Sequence, residues 1–133
     1  MVHYIRISSR TRNELIDITG QVSELIRNAG VSNGICHIFA LHTTAAITVN
    51  EGADPSVQRD IARFLATMVP VDAPFAHVEG NSDSHVKTAL VGPSETVIIE
   101  GGRLLLGTWQ ALFFCEFDGP RDRKVAVKIM PDP

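Results

Sequence analysis

Four side chains between residues 42 and 85 have the chemistry of a reactive site. His42 ends an apolar strand, His77 and Glu79 lie two residues apart, and His85 lies at the mouth of a short helix. In extended backbone, residues two apart point the same way, so His77 and Glu79 can act together. Two or three imidazoles with a carboxylate match the ligands of a zinc-like ion. The same groups can serve as acids and bases without a metal, and the spacing leaves both uses open.

His37 is excluded from this group by strand parity. Within a regular strand, His37 faces the side of Phe39 and Leu41, whereas His42 shares its side with Ile38 and Ala40. We therefore interpret His37 as a packed histidine whose ring is satisfied by neighbours. His42, at the end of the strand, lies where functional groups are commonly displayed.

Two further places favour anions. Asn81 and Ser82 precede a helix start, where free N–H groups and the positive end of the helix dipole attract negative charge. Arg121 lies on the turn Asp118-Gly119-Pro120-Arg121, where a guanidinium can grip a phosphate with two hydrogen bonds. The alternatives are helix capping by Ser82 or Asp83 and a solvated arginine on an ordinary turn.

The segment Gly107-Thr108-Trp109-Gln110 interrupts an apolar strand. Parity puts Thr108, Gln110 and Glu116 on one face and Trp109, Phe113 and Phe117 on the other. The aromatic face predicts a buried Trp109. The face that carries Thr108 and Gln110 either lines a pocket or contacts a neighbouring subunit, and the sequence leaves these alternatives open.

Composition bounds the class of protein. The chain has 133 residues, 44% of them hydrophobic, which fits one domain over residues 1–133 with a real core. Twelve basic and fifteen acidic residues give a charge of −3, so nucleic acid and anionic membranes are not expected partners. The apolar runs are too short for a membrane span, and the N-terminus does not match a signal peptide. Cys36 and Cys115 lie in apolar runs as core filler, which suits a cytoplasmic location.

The hydrophobic pattern predicts an α+β fold. One helix covers residues 20–29 between an N-cap at Thr19 and a C-cap at Gly30. A second starts at Asp54-Pro55, with a stripe expected to be buried, and a third covers 85–91. The stripe consists of Val57, Ile61, Phe64, Leu65 and Met68. Strands are predicted at 2–8, 14–18, 35–42, 45–50, 96–99, 103–117 and 124–130. Tight turns imply antiparallel pairing, so we expect a mostly antiparallel sheet or sandwich with about three helices packed on it.

Several of these segments together resemble the YjbQ-type family, often described as secondary thiamine-phosphate synthases. The matching segments are His42-Thr43-Thr44-Ala45-Ala46, Val49-Asn50-Glu51, His77, Glu79-Gly80-Asn81-Ser82-Asp83-Ser84-His85, Ser94 through Leu112 with Gly107-Thr108-Trp109-Gln110, and Asp118-Gly119-Pro120-Arg121. The resemblance covers essentially the whole chain. It implies a compact α/β fold and a homotrimer with polar residues near the subunit contacts. It also implies a weak ability, as a side activity, to form thiamine phosphate from a hydroxymethylpyrimidine diphosphate and a thiazole phosphate.

The resemblance also implies roles for individual residues. We expect His42, His77, Glu79 and His85 to be catalytic, with Glu79 as general base or as a carboxylate that orients a ligand. His42, His77 and His85 are expected to bind a divalent metal ion, zinc or magnesium. The expected partner is a small phosphorylated molecule, and the expected substrate- or phosphate-binding residues are Asn81, Ser82, Thr108, Gln110 and Arg121.

Two other functions use the same residues. A metal-dependent hydrolase would activate water on the ion with Glu79 as the base. A non-catalytic module would bind a metal or a small molecule and need only affinity. Product formation from the two thiamine precursors separates the first function from these two, and phosphate release from generic phosphoesters identifies the hydrolase.

Overall fold

The computed structural model describes all residues, 1–133, and contains eight strands and three helices. In chain order the elements are β1 (Val2–Ser8), β2 (Glu14–Asp17), α1 (Thr19–Ala29), β3 (Gly34–Ala40), β4 (Ala45–Glu51), α2 (Pro55–Met68), α3 (Ser82–Val91), β5 (Ser94–Glu100), β6 (Arg103–Leu104), β7 (Gln110–Glu116) and β8 (Asp122–Pro131). The strands form a five-stranded sheet, β1-β8-β3-β5-β6, and a three-stranded sheet, β2-β7-β4. Every pairing is antiparallel, which confirms the α+β prediction.

The main core lies between the two sheets and α1. Its 16 buried residues come from strands of both sheets, from Val22 and Ile26 of α1, and from Ile18, the N-cap of that helix. Cys36 belongs to this core, and Cys115 belongs to a smaller cluster with Ala46 and Phe117. Burial raises the pKa of the Cys36 thiol to about 11 and that of Cys115 to about 12. Both cysteines are therefore unreactive core residues, as predicted.

The first helix ends as predicted but begins differently. Gly30 takes the left-handed conformation at φ 66° and closes the helix by donating its N–H to the Arg27 carbonyl. Thr19 is the first helical residue and not the N-cap, which is Ile18. The Asp17 carboxylate accepts the Thr19 N–H at 2.9 Å, and the Thr19 hydroxyl accepts the Leu112 N–H at 2.8 Å. Thr19 therefore ties α1 to β7 instead of capping the helix.

The second helix has the predicted start and an unexpected apolar face. The Asp54 side chain accepts the Ser56 N–H, and Pro55 is the first helical residue. The prediction that its apolar stripe is buried is wrong, because no residue of α2 is buried and Phe64 is 67% exposed. Only part of the stripe is covered: Leu65 packs on the cluster formed by Ala46, Cys115 and Phe117.

None of the three helices has both the length and the apolar character that a membrane span requires.

Two predicted strands are shorter in the structure. β3 ends at Ala40, and His42 lies in the connection to β4, which belongs to the other sheet and is not a hairpin partner of β3. The predicted strand 103–117 is split into β6 and β7 by the turn that contains Trp109. The prediction that Trp109 is buried is wrong, since it is 65% exposed. Strand parity applies only to a continuous strand, and this one is interrupted.

Candidate functional site

A polar pocket of about 680 Å³ lies where the chain passes from one sheet to the other. Its lining comes from the 39–44 segment, the start of α3, the loop after β7 and the start of β8. The volume falls within the range of roughly 300–1,000 Å³ that is usual for small-molecule sites. Five of the residues predicted from the sequence line this pocket: His42, Glu79, Asn81, His85 and Arg121.

His77 does not line the pocket, but it lies against two residues that do, His85 and Glu79. Its ring meets the edge of the His85 ring, with the centroids 5.3 Å apart and the planes at 89°. Its Nε2 is 3.6 Å from Glu79 Oε2, and the Glu79 side chain is 71% exposed. The two side chains therefore lie close together as predicted from their spacing, in a loop that leaves them largely in solvent.

Thr108 and Gln110 do not reach this pocket. The Gln110 Oε1 accepts the Gly107 N–H at 2.8 Å, which closes the turn between β6 and β7. Thr108 is exposed in the same turn. The prediction that these two side chains bind substrate does not fit this geometry, because it assumed a continuous strand. Ser82 is the first residue of α3 and lies beside the pocket without lining it.

His42 is held by a backbone hydrogen bond. The Lys124 N–H donates to His42 Nε2 at 2.8 Å, across the gap between the loop and β8. Burial lowers the pKa of His42 below its ordinary value, and the positive charge of Arg123 lowers it further. The ring is thus favoured in its neutral form, with Nε2 as the acceptor.

The residues present do not fit the divalent ion that is expected at His42, His77 and His85. No group of three or more His, Cys, Asp or Glu side chains is placed where it could hold one ion. The Nε2 of His42 is already occupied by the Lys124 amide. The structure brings His77 and His85 into contact, but His42 does not complete a three-imidazole set with them.

Arg121 and Asn81 are joined through one carboxylate. Asp118 Oδ2 accepts from Arg121 Nη2 at 3.1 Å and from Asn81 Nδ2 at 2.8 Å. The Asp118 carbonyl also accepts from Arg121 Nε at 2.8 Å. Neither Ser82 nor Asp83 caps α3; the N-cap is Asn81, and its side chain makes no capping hydrogen bond. The guanidinium and the helix start are therefore held on the same side of the pocket.

Sequence reasoning missed Arg123, which also lines the pocket. Its Nε donates to Glu116 Oε1 at 2.8 Å, and its Nη2 donates to Glu116 Oε2 and to Thr44 Oγ1. Ser9 Oγ donates to Glu116 Oε1 at 2.6 Å. Arg123 and Glu116 are both buried, so this ion pair forms the floor of the site.

The alternation of residues along β8 could have predicted that Arg123 points inward. The residues of β8 that point inward are Val125 and Val127, and Arg123 has the same parity. In the sequence Arg123 looks like part of a solvated basic run, because Arg121 and Lys124 stand beside it. A charged residue on the inward side of a strand needs a buried partner, and Glu116 of β7 supplies it.

A second buried charge cluster anchors α3 below the pocket. Asp83 is 1% exposed and accepts from Arg12 Nη2 at 2.9 Å and from Lys87 Nζ at 3.0 Å. Lys87 Nζ also donates to Asn13 Oδ1. Ser84 Oγ donates to the Phe117 carbonyl. These contacts fix the helix that carries His85 to the β1–β2 connection and to the end of β7.

The chain belongs to the YjbQ/UPF0047 family. The family model for UPF0047 proteins of the YjbQ-like type matches residues 3–132. The chain is 51% identical over 132 residues to the UPF0047 protein MJ1081 of Methanocaldococcus jannaschii, covering 99% of this chain and 96% of that protein. It is 44% identical over 131 residues to YugU of Bacillus subtilis, covering 98% and 99%.

Solved structures show the same fold. A YjbQ/UPF0047 protein of Clostridium acetobutylicum matches with a TM-score of 0.95 at 48% identity, over 96% of this chain and 99% of that one. A hypothetical protein of Aeropyrum pernix matches with a TM-score of 0.95 at 34% identity, over 99% of both chains. These names state a family and no reaction.

Proposed function

We propose that the pocket binds a phosphorylated small molecule and catalyses a group transfer in which diphosphate is the leaving group. The specific reaction proposed is the one that the YjbQ resemblance implies, the coupling of a hydroxymethylpyrimidine diphosphate to a thiazole phosphate. The observation that carries the proposal is the convergence of arginine, histidine and a helix start around one pocket of about 680 Å³. Such groups stabilise the negative charge that builds on a departing diphosphate.

In this reaction negative charge develops on the leaving diphosphate and positive charge develops on the thiazole ring. The thiazole nitrogen attacks the pyrimidine methylene carbon, a C–N bond forms, and the C–O bond to diphosphate breaks with its electron pair leaving on oxygen. Arg121 and the α3 start oppose the charge on the leaving group. The thiazole ring becomes a cation as the C–N bond forms, and the negative charge of Glu79 stabilises it. In this reaction Glu79 acts as an orienting carboxylate more than as a proton acceptor.

A homotrimer acting in the cytoplasm is part of the same proposal. Support for self-association comes from apolar side chains on the uncovered face of the five-stranded sheet, which include Tyr4, Ile35 and Phe39. Phe39 also lines the pocket, so a subunit on this face would lie close to the site. Light scattering tests the assembly: a stable species of 14.5 kDa, the mass of one chain, would contradict it.

Steady-state kinetics with the two thiamine precursors test the activity. We expect thiamine phosphate from the wild type, and an Arg121→Ala variant that raises KM about tenfold or more by losing a charged hydrogen-bond donor. Arg103→Ala is the matched control, because Arg103 is exposed on β6 and does not line the pocket. No product from the wild type would overturn the coupling reaction. Phosphate release from generic phosphoesters without coupling would favour the hydrolase.

A further inference from the structure

We infer that His42 is a fixed hydrogen-bond donor, held as the neutral Nδ1–H tautomer, and that it pairs with Arg123 to bind phosphate oxygens. This assignment differs from the metal-ligand and acid–base roles that the sequence predicts for His42. Its first part, the tautomer, depends only on the geometry. Its second part, the phosphate, rests on the proposed function.

The tautomer follows from the Lys124 amide. A backbone N–H can only donate, and it meets His42 Nε2 at 2.8 Å, so Nε2 must carry a lone pair. In a neutral imidazole the proton is then on Nδ1. Protonating the ring would bring an Nε2–H against the amide N–H and remove this bond. The fold therefore selects one of the three protonation states of the ring.

The selected state has a definite chemistry. A general base or a metal ligand must turn a lone pair toward the substrate or the ion. His42 has its lone pair on Nε2, where the Lys124 amide occupies it. The other nitrogen, Nδ1, then carries the proton and makes no hydrogen bond within the chain, so it is the one available to a ligand in the pocket that His42 lines. His42 can thus donate to an oxygen of the ligand but cannot accept its proton.

The charged groups around His42 favour the same state. Among these groups Arg123 disfavours a positive ring most, the buried Glu116 opposes it more weakly, and Arg121 adds a smaller effect in the same direction as Arg123. Lys124 contributes only its backbone amide to the ring, and its ammonium group lies over the Tyr4 ring. Burial of the imidazole disfavours the charged form as well.

Arg123 is built as the second donor. Its Nε and Nη2 are both occupied by Glu116 and Thr44, whereas its Nη1 makes no hydrogen bond within the chain. The side chain is 4% exposed and lines the same pocket as His42. A guanidinium clamped on one edge and open on the other is pre-positioned for an anionic oxygen. Because Glu116 neutralises its charge, the pair offers directed donors more than a net positive field.

The ligand class that fits is a phosphoryl group. His42 and Arg123 donate to oxygens and neither accepts, which suits a phosphate or diphosphate whose oxygens bear no proton. Arg121 and the α3 start supply a separate set of donors in the same pocket. We therefore place the buried phosphoryl oxygens of a diphosphate against His42 and Arg123 and the outer ones against Arg121.

Nitrogen-15 NMR of histidine-labelled protein tests the tautomer without any ligand. His42 is assigned as the signal lost in His42→Gln, and the other four histidines are internal references. We expect a protonated Nδ1 and an unprotonated Nε2 at neutral pH. An Nε2–H tautomer, an imidazolium or a metal-shifted nitrogen would overturn the first part of the inference.

Calorimetric titration with inorganic diphosphate tests the second part. We expect Arg123→Lys to weaken binding about tenfold or more, because lysine keeps the charge beside Glu116 but loses the open guanidinium edge. Arg103→Lys, outside the pocket, should bind like the wild type. Equal affinity in Arg123→Lys, or no binding to the wild type, would overturn the phosphate pair. If diphosphate binds as expected and no thiamine phosphate forms, the coupling reaction fails while the donor pair stands.

Discussion

The pocket has two walls that are held in different ways. The strand wall consists of Arg123 of β8 and of His42 and Thr44, two residues of the β3–β4 connection that are hydrogen-bonded to β8. The buried Glu116 supports this wall from behind. The loop wall consists of His77 and Glu79, in the irregular segment between α2 and α3. Every side chain of the strand wall is fixed by a hydrogen bond to another element. The loop-wall side chains contact each other and His85, and Glu79 is mostly in solvent.

The difference shows where pre-organisation is located. Low dielectric and fixed partners make a buried donor stronger and remove the cost of orienting it when a ligand arrives. The strand wall has both properties, so it should supply most of the affinity for an anion. The loop wall can adjust to a ligand, and its carboxylate is screened by water until the pocket is filled.

The largest expected effect is on stability. Glu116→Ala leaves Arg123 buried without its carboxylate, and we expect a loss of about 3–5 kcal/mol in the free energy of unfolding. Glu79→Ala, a carboxylate of the loop wall, should change it by less than about 0.5 kcal/mol. Denaturant unfolding of both variants compares the walls directly. Equal losses of unfolding free energy in the two variants would contradict the distinction between the two walls.

Acid should destabilise the strand wall first. Burial by itself raises the pKa of Glu116, but hydrogen bonds from Arg123, Ser9 and the Asp118 N–H outweigh it, so the pKa lies below the ordinary 4.5. The folded state therefore resists protonation of this group more than the unfolded state does. Its contribution to stability is fully present above pH 4.5 and is lost as the pH falls through the lowered pKa.

Melting temperatures between pH 7 and pH 3 measure this contribution. The wild type should lose stability steeply below pH 4.5, and Glu116→Gln should start lower and follow a flatter curve. Glu24→Gln, which removes an exposed carboxylate of α1, should follow the wild type. Parallel curves for the wild type and Glu116→Gln would show that this group does not carry the acid sensitivity.

Removing the loop-wall carboxylate should affect turnover moderately. Glu79→Gln keeps the size of the side chain and loses the negative charge that, in the proposed coupling reaction, stabilises the developing thiazole cation. We expect kcat to fall about tenfold with an unchanged melting temperature, since charge-assisted contacts of this kind contribute about 1.5–3 kcal/mol when shielded from water. An unchanged kcat would show that Glu79 does not contribute to turnover.

A small effect is also expected at Trp109. Because its side chain is 65% exposed, Trp109→Ala should lower the free energy of unfolding of the single chain by less than about 1 kcal/mol. Trp109 is the only tryptophan, so its fluorescence reports this site alone. A red-shifted emission maximum is expected for a water-exposed indole, and a blue-shifted one would show that another surface covers it.

Local signals predicted much of the fold. Gly30 and Asp54-Pro55 marked the helix ends because left-handed backbone and a capping carboxylate have strong residue preferences. Tight turns and alternation predicted antiparallel strands. The burial of α2 could not be predicted, because an apolar stripe shows which face is available for packing and not how much of it the fold covers.

The site was predicted in part. His42, Glu79, Asn81, His85 and Arg121 converge as expected from their types and order. The metal-ligand role expected for His42 does not fit the structure because of a long-range contact that the sequence does not show. The Lys124 amide that occupies His42 Nε2 is 82 residues away in the chain. Thr108 and Gln110 were misplaced because one turn breaks the parity of the strand that carries them.

Binding of inorganic diphosphate to two histidine variants tests the comparison of the walls most directly. His42→Gln changes the strand wall and His77→Gln the loop wall, with the same residue introduced at both positions. We predict by calorimetry that diphosphate binds about tenfold or more weakly to His42→Gln and within about twofold of the wild type to His77→Gln. The reverse order, with His77→Gln the more damaged variant, would contradict the account.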